Sequence, residues 1–514
     1  MSMETKSPRT NSKSTKAKSP QVVPIKIKPK QDDIIIGLEV HVQLTKLKTK
    51  LFCGCSTDYR GKEPNTFLCP ICLGLPGTLP VVNKKAVELA IEVGLALSCQ
   101  IPKQTLFYRK NYYYPDMPKN FQITQYHKAG GIPIGLGGQV TFDFDNEKMV
   151  VRLIRIQLEE DPGRLTYLGS ILSSEYSLVD YNRAGITLLE IVTEPDLHSP
   201  EEAREFLQKL RSILEHLGVA DCGLEGSMRC DANISLKGGK RVEIKNISSF
   251  KAVQHALQHE IIRQRRQRVD GVETVMETRH WDDNTGRTVS LRTKEEEHDY
   301  RYFPEPDLVP IEISPEQIET IRVGMPELPD QRRDRFIKAY QIPIYDASVL
   351  TSSKSLADFF EDCIKLYSDP KTISNWIMSD LLRHLKDLNI EINESTVTPE
   401  QFTTMLKRID AGTISSRSAK KVLADMVTLG KPPDQIIEED GHRRLSDQER
   451  LEPIADKILD ENQKATEDAM KDDKTINFLL GQMMRETHGT ADPIISLKIL
   501  TDKIHRLREK RNSN

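Results

Sequence analysis

From Leu38 to Leu44 apolar and polar residues alternate without a break, a pattern that fits an extended strand. Ile34, Ile35 and Ile36 form an apolar entry into Gly37, after which Leu38, Val40, Val42 and Leu44 alternate with Glu39, His41 and Gln43. Successive strand side chains point to opposite faces, so Glu39 and His41 project together from one side, roughly 6 to 7 Å apart. Such a pair either shares a metal or a phosphate-bound cation, or is an ordinary polar strand face.

Shortly after this strand come Cys53, Cys55, Cys69 and Cys72, a C-x-C and a C-P-I-C separated by thirteen residues. Two close pairs joined by a short loop bring four thiolates onto one tetrahedral ion, and Zn²⁺ stays there without redox chemistry. Four such ligands close the coordination sphere, so the expected zinc is structural. The alternative is four buried thiols behaving as small hydrophobes, the reading given to Cys99, Cys222, Cys230 and Cys363. Eight cysteines in 514 residues argue against a disulfide scaffold and for a reducing compartment.

Length predicts about three domains. With 73 Lys and Arg against 76 Asp and Glu, the net charge of -3 gives no global attraction to nucleic acid, so any RNA contact needs a local basic patch. No apolar run approaches the ~20 residues of a membrane span. Residues 1–32 stand apart: rich in Lys, Ser, Thr and Pro, with Glu4 the only acid before Asp32. Such a segment is expected to be disordered, either as an organelle transit peptide or as a plain solvated tail.

Further along, Val151 to Asp161 reads as a strand ending in Glu159-Glu160-Asp161. Three successive acids are costly unless positive charge meets them; the alternative is an exposed acidic turn. In Leu188-Leu189-Glu190-Ile191-Val192 a carboxylate interrupts an apolar run. A buried carboxylate must be paired, protonated or metal-bound. Arg229, Asp231 and Asn233 share one face of a later strand, and Glu243 and Lys245 repeat the pattern on the next. Between these, Ser199-Pro200-Glu201-Glu202 opens a helix predicted to run to about Leu217 and stop at Gly218.

The crowded Arg109-Lys110-Asn111-Tyr112-Tyr113-Tyr114 either stacks on a base and holds a phosphate or is loop packing. Residues 251–270, with Arg263, Arg265, Arg266 and Arg268, form a basic helix, either an RNA contact or a solvated face. The mixture of strands and helices predicts an α+β domain over 33–310. Helical patterns then dominate 311–440, and a last helical segment, 441–514, follows the Lys431-Pro432-Pro433-Asp434 break. No G-x-x-x-x-G-K-[ST] loop, Ser/Gly-rich amidase segment or glutaminase elbow occurs, so the chain is not expected to hydrolyse glutamine itself.

Gly37-Leu38-Glu39-Val40-His41-Val42-Gln43-Leu44, Arg109 through Asp116, Asp180 through Gly185, Glu190 through Asp196, Arg229 through Asn233, Val242 through Asn246 and Asp299 through Asp307 together resemble the signatures of one family. It is the B subunit of the aspartyl/glutamyl-tRNA amidotransferases, and the likeness runs in order through nearly everything after residue 33.

The resemblance implies a mixed-sheet cradle domain that carries out the chemistry, an all-helical domain, and a small helical tail that touches tRNA. It implies ATP and Mg²⁺ as cofactors, and Glu-tRNA(Gln) as the substrate whose side-chain carboxylate is activated. It also implies two partners: an amidase A subunit that releases ammonia from glutamine, and a small C subunit, completing a heterotrimer. Glu39, His41, Glu159, Glu160, Glu190 and Asp231 match the family's acidic cluster and are the Mg²⁺ candidates, with Glu39, His41, Glu160 and Glu190 expected to be catalytic. The added N-terminal segment puts the expected location in the mitochondrial matrix. A non-catalytic tRNA-binding scaffold is the alternative within the same complex. The related archaeal protein that works with an asparaginase-like partner carries a large insertion for which this chain has no room.

Overall fold

The strand expected at Ile34 forms the middle of a large sheet. In the computed structural model, which describes residues 33–167, 174–247, 249–283, 285–293, 300–439, 448–487 and 490–512, five strands carry the central region. They are β1 (Ile34–Gln43), β2 (Glu147–Glu160), β3 (Thr187–Thr193), β4 (Met228–Leu236) and β5 (Val242–Ile247), in the spatial order β2-β3-β1-β4-β5. Beyond β5 lie Glu277–Asp282 and Arg287–Thr293, and beyond β2 lie Phe121–Thr124, Tyr108–Asn111 and Phe303–Pro304. Two further short strands also pair with β2, giving a 12-stranded sheet. Only the pairing of β5 with Glu277–Asp282 is parallel among the pairings described; the sheet is mixed and the fold α+β. The expected transit segment falls outside the described residues.

Period two divides the sheet into an apolar and a polar face. Leu38, Val40 and Val42 of β1, Leu189 and Ile191 of β3, Ile156 and Leu158 of β2, and Ala232 and Ile234 of β4 are all fully or almost fully buried in the first core. Two helices, α1 (Pro200–Leu217) and α2 (Phe250–Val269), pack into this core through Phe206, Leu210 and Leu214, and through Val253 and Leu257. The start and stop of α1 are those its sequence predicts. Ser199 accepts from the Glu202 N–H, Glu202 accepts from the His198 N–H at 2.8 Å, and Gly218 ends the helix at φ 70°.

The arginines of the basic helix α2 are engaged within the chain. Arg263 pairs with Glu260 at 2.7 Å, Arg265 with Asp33 at 2.9 Å, and Arg268 donates to the Lys237 carbonyl at 2.8 Å. Arg266 stands 3.9 Å from Asp270, so all four arginines have partners that compete with any phosphate.

A second core, helical throughout, runs from Phe336 to Ile437, and a third from Leu451 to Ile504. The helix Pro315–Gly324 packs through Ile318 and Ile321 on the first core, so the sheet's influence reaches past Pro310. No helix among the described residues is long and apolar enough to cross a membrane.

In the second core Glu361 joins two helices by accepting from Arg332 Nε at 3.0 Å, Arg335 Nη1 at 2.6 Å and Tyr340 at 3.2 Å. Burial works against its ionisation, but the Arg335 and Arg332 donors outweigh burial and hold the carboxyl down at about 2. A depressed carboxylate pKa stabilises the fold above the unfolded value and is lost as pH falls from about 4.5 towards 2. Glu361→Gln is expected to cost about 2 kcal/mol at neutral pH. That is less than the ~3–5 of fully buried pairs, because the side chain stays 20% exposed. The deficit should shrink on acidification; urea unfolding followed at Trp376 measures both.

Candidate active site

Register sets the polar face. In β1, His41 lies opposite Glu190 of β3 and Arg229 of β4, while Glu39 lies opposite Asp231. Glu190 in turn faces Gln157 of β2, and Asn233 faces Glu243 of β5. Directly opposed residues share a face, so residues distant in sequence become neighbours across one surface.

His41 Nε2 sits 3.7 Å from Glu159 Oε1 and 3.9 Å from Glu190 Oε2. One ligand atom from each of these three residues falls within 4.8 Å of the others, a grouping able to hold a metal ion. Thr124 donates to Glu159 at 3.1 Å; Arg155 and Gln157 donate to the two oxygens of Glu190 at 3.1 and 2.8 Å. Burial, and then repulsion from Glu159, push the Glu190 carboxyl up to about 7 against the pull of His41 and Arg155. A divalent cation would relieve both, so the residues fit one. Hard Mg²⁺ prefers the two carboxylates, with water completing the shell, to the imidazole.

Beside this triad a second set of acids is grouped around one cation, Lys245, and the Asn233 amide. Asn233 donates to Glu39 at 3.0 Å, and Lys245 donates to Asp231 at 3.1 Å while standing 3.6 Å from Glu243. Burial opposes the ionisation of Asp231, yet Lys245 and then His41 prevail and lower its pKa. A cavity of about 340 Å³ opens here, lined by His41, Glu159, Arg229, Asp231 and Lys245 and also by Lys110, Tyr112 and Tyr300. A larger cavity, about 590 Å³, lies between α1 and the helical region, and two of its cations are already paired: Lys209 with Asp330 and Arg211 with Glu391, each at 2.6 Å.

The four cysteines also converge, with one sulfur from each within 4.8 Å of the rest. The Cys69 N–H points at Cys72 Sγ at 3.2 Å, and the buried Lys50 ammonium stands 3.9 Å from the same sulfur. A hydrogen bond from Cys53 leads the effects that bring the Cys72 thiol down to about 5. Four sulfurs at this spacing fit a tetrahedral zinc with Zn–S of about 2.3 Å.

Residues 34–319 match the GatB/GatE catalytic domain family and residues 358–504 the GatB domain family. The B subunit of the aspartyl/glutamyl-tRNA(Asn/Gln) amidotransferase of Saccharolobus solfataricus is 49% identical over 470 residues, covering 91% of this chain and 99% of its own. Those of Carboxydothermus hydrogenoformans and Sulfurisphaera tokodaii are 47% and 50% identical over 483 and 466 residues, covering 92% and 90% of this chain and 99% and 98% of their own. The chain belongs to the amidotransferase B-subunit family.

Within this B-subunit framework, the structure sorts the residues singled out from sequence. His41, Glu159 and Glu190 come together; Glu39 and Asp231 form the adjoining pair. Glu160 does not join them. It shares the strand parity of Ile156 and Leu158, so it points away from Glu159, pairs with Lys119 and accepts the Ile123 N–H at 3.0 Å. Two acids of the run meet positive charge, Glu160 at Lys119 and Asp161 at Arg229, while Glu159 does not meet a lysine or arginine among the described ion pairs. Asp161, fully buried, accepts from Arg229 at 2.7 Å and Gln43 at 2.6 Å, with Arg183 3.8 Å away. Arg155, Gln157 and Thr124 escape a reading of the sequence; as single polar residues on strands they carry no spacing signal. Asp161 stands in the acidic run, and only its contacts separate its role from that of Glu159.

Proposed function

We propose that this chain uses ATP to activate the side-chain carboxylate of glutamate carried on tRNA(Gln), and that it amidates the activated group with ammonia released by a partner amidase. The names of the relatives supply the tRNA amidotransferase frame. The observation that carries the chemistry is the convergence of His41, Glu159 and Glu190, the first two of which line a cavity together with Arg229 and Lys245.

A carboxylate resists ammonia because oxide would have to leave. Transfer of the γ-phosphoryl group from ATP to a carboxylate oxygen breaks the bond to ADP and forms an acyl phosphate. Ammonia then adds at the acyl carbon, phosphate leaves with the C–O electron pair, and a proton is lost to give the amide. Catalysis of such a transfer is largely positioning and charge neutralisation. Glu159 and Glu190 are the residues that would hold Mg²⁺, with His41, Glu39 and Asp231 beside them; the ion would supply charge neutralisation on phosphoryl oxygens. Arg229, whose Nε is among the buried atoms of the described residues that lack a hydrogen-bond partner, and Lys245 are aligned to receive anionic oxygens of carboxylate or phosphate. An amidase partner and a small third protein, the A and C components of the heterotrimer, belong to the same proposal. A mitochondrial location would rest on residues 1–32 alone; the relatives named above are archaeal and bacterial.

Mg²⁺-dependent ATP cleavage that rises on addition of Glu-tRNA(Gln) is the expected result. A chain that binds the tRNA yet cleaves no ATP with either tRNA or partner amidase present would instead be a scaffold.

A further inference from the structure

A series of tyrosines leads from solvent to the acidic triad. Tyr112 stacks on the exposed Tyr114 with centroids 5.9 Å apart and planes at 12°, and meets Tyr300 edge-on at 6.4 Å. Tyr300 meets Tyr302 at 6.0 Å, and Tyr302 stacks on Tyr126 at 4.8 Å. Tyr126 carries the Arg155 guanidinium over its ring at 5.3 Å, and Arg155 donates to Glu190 at 3.1 Å. Ring contacts thus connect the surface to a triad carboxylate.

Two observations point to a ligand rather than to packing alone. Lys110 Nζ lies 4.8 Å from the centre of the Tyr300 ring, and both line the cavity with Tyr112, so a positive charge sits against an aromatic face in the cavity lining. Between Tyr300 and Tyr302, Arg301 holds φ 45°, a left-handed conformation uncommon for a residue with a side chain, and its carbonyl accepts from Asn111 Nδ2 at 2.7 Å. The neighbouring strand thereby pins the backbone between two rings of the series. Aromatic faces interleaved with basic groups are the pattern that binds single-stranded nucleic acid, since every base has a stacking face and every nucleotide a phosphate.

We propose that Tyr114, Tyr112 and Tyr300, with Lys110, seat the unpaired 3′ end of the RNA substrate and deliver its aminoacylated terminus to the cavity over His41. This rests on the proposed function and names the part of the substrate held at that site. The series spans four successive ring contacts, more than one nucleobase covers, which favours a run of unpaired nucleotides over the adenine of ATP. Tyr302 and Tyr126 back the seat and couple it to Arg155.

The test uses the full-length chain and a short single-stranded RNA ending in CCA, with 2-aminopurine in place of the terminal adenine; fluorescence reports RNA affinity, and ATP affinity is measured in parallel. Tyr112→Ala and Tyr300→Ala are each expected to weaken RNA binding by about 5- to 150-fold, with ATP affinity as in the parent chain. Tyr300→Phe should restore RNA binding, and Lys110→Gln should flatten the salt dependence by about 0.7 in log–log slope. Unchanged RNA affinity in the alanine variants overturns the proposal, and a loss confined to ATP reassigns the seat to the nucleotide's base and overturns it equally. Should the inner variants fail to fold, the outlying Tyr114→Ala decides by the same readout, its side chain lying outside the core. A parent chain that cleaves ATP while the tyrosine variants bind RNA normally removes this inference only; a parent chain that neither cleaves ATP nor binds the probe removes the functional reading as well.

Discussion

Glu190→Gln is expected to lower Glu-tRNA-stimulated ATP cleavage at least about a hundredfold while leaving glutamine hydrolysis by the partner amidase largely intact. The substitution keeps shape and removes one negative charge from the triad. Several kcal/mol of charge stabilisation is what a bound cation supplies in phosphoryl transfer, and each 1.4 kcal/mol is about tenfold in rate. The variant also leaves the buried Arg155 without its carboxylate, so thermal unfolding must accompany the kinetics to separate lost chemistry from lost structure. Equal loss of ATP cleavage and glutamine hydrolysis would place Glu190 in the assembly of the complex instead.

The same residue carries a pH signature. With the Glu190 carboxyl at about 7, protons compete with a cation for it, so Mg²⁺ affinity should weaken as pH falls below about 7, and binding should release protons measurable by calorimetry in buffers of different ionisation enthalpy. In the cation-free chain the sign runs the other way from a paired carboxylate. Between about 4.5 and 7 the folded chain keeps a proton that the unfolded chain has lost, so stability declines as pH rises through that window, by on the order of 3 kcal/mol.

Much of this site is legible in the amino-acid sequence alone, and the reason is periodicity. The alternation around Glu39 and His41 forces one apolar and one polar face, and a glutamate inside Leu188–Val192 has no stable fate except pairing, protonation or a cation. The span of α1 is equally legible, because Ser199, Pro200 and Gly218 act locally. Strand order and register are not. Nothing near His41 in sequence says that Glu190 and Arg229 will lie opposite it. The choice between Glu159 and Glu160 turns on one residue of register: adjacent strand positions face opposite ways, so a slip of one would exchange their roles. Pairing with Thr124 and with Leu188 puts Glu159 on the polar face and leaves Glu160 to Lys119. The arginines of α2 show the complementary failure. A run of like charge reads as an outward face, yet Glu277 and Asp33 come from other parts of the chain to meet Arg263 and Arg265, and Glu260 of the helix itself pairs with Arg263.

Replacing Cys69 or Cys72 by serine is expected to remove about one zinc per chain and to destabilise the sheet region by ~3 kcal/mol, a fall of roughly 6–12 °C in its unfolding temperature. The segment from Leu51 to Val82 holds turns and bends without a named helix or strand, and Leu51, Phe52 and Cys72 are its buried residues among those with apolar side chains. A segment with so little apolar surface to bury needs a covalent or metal staple to hold one conformation. Its position gives the staple a second consequence. Gly74 takes φ 66°, and a side chain there would collide with Lys119, the partner of Glu160 at the end of β2. The cysteine loop therefore packs against the residue that neutralises the acid next to Glu159. No cysteine of the four lines the 340 Å³ cavity, so ATP cleavage in these variants should fall less than in Glu190→Gln. Metal analysis of the purified chain together with calorimetric unfolding decides the matter: a metal-free chain of undiminished stability would make the four thiols small hydrophobes in a close cluster.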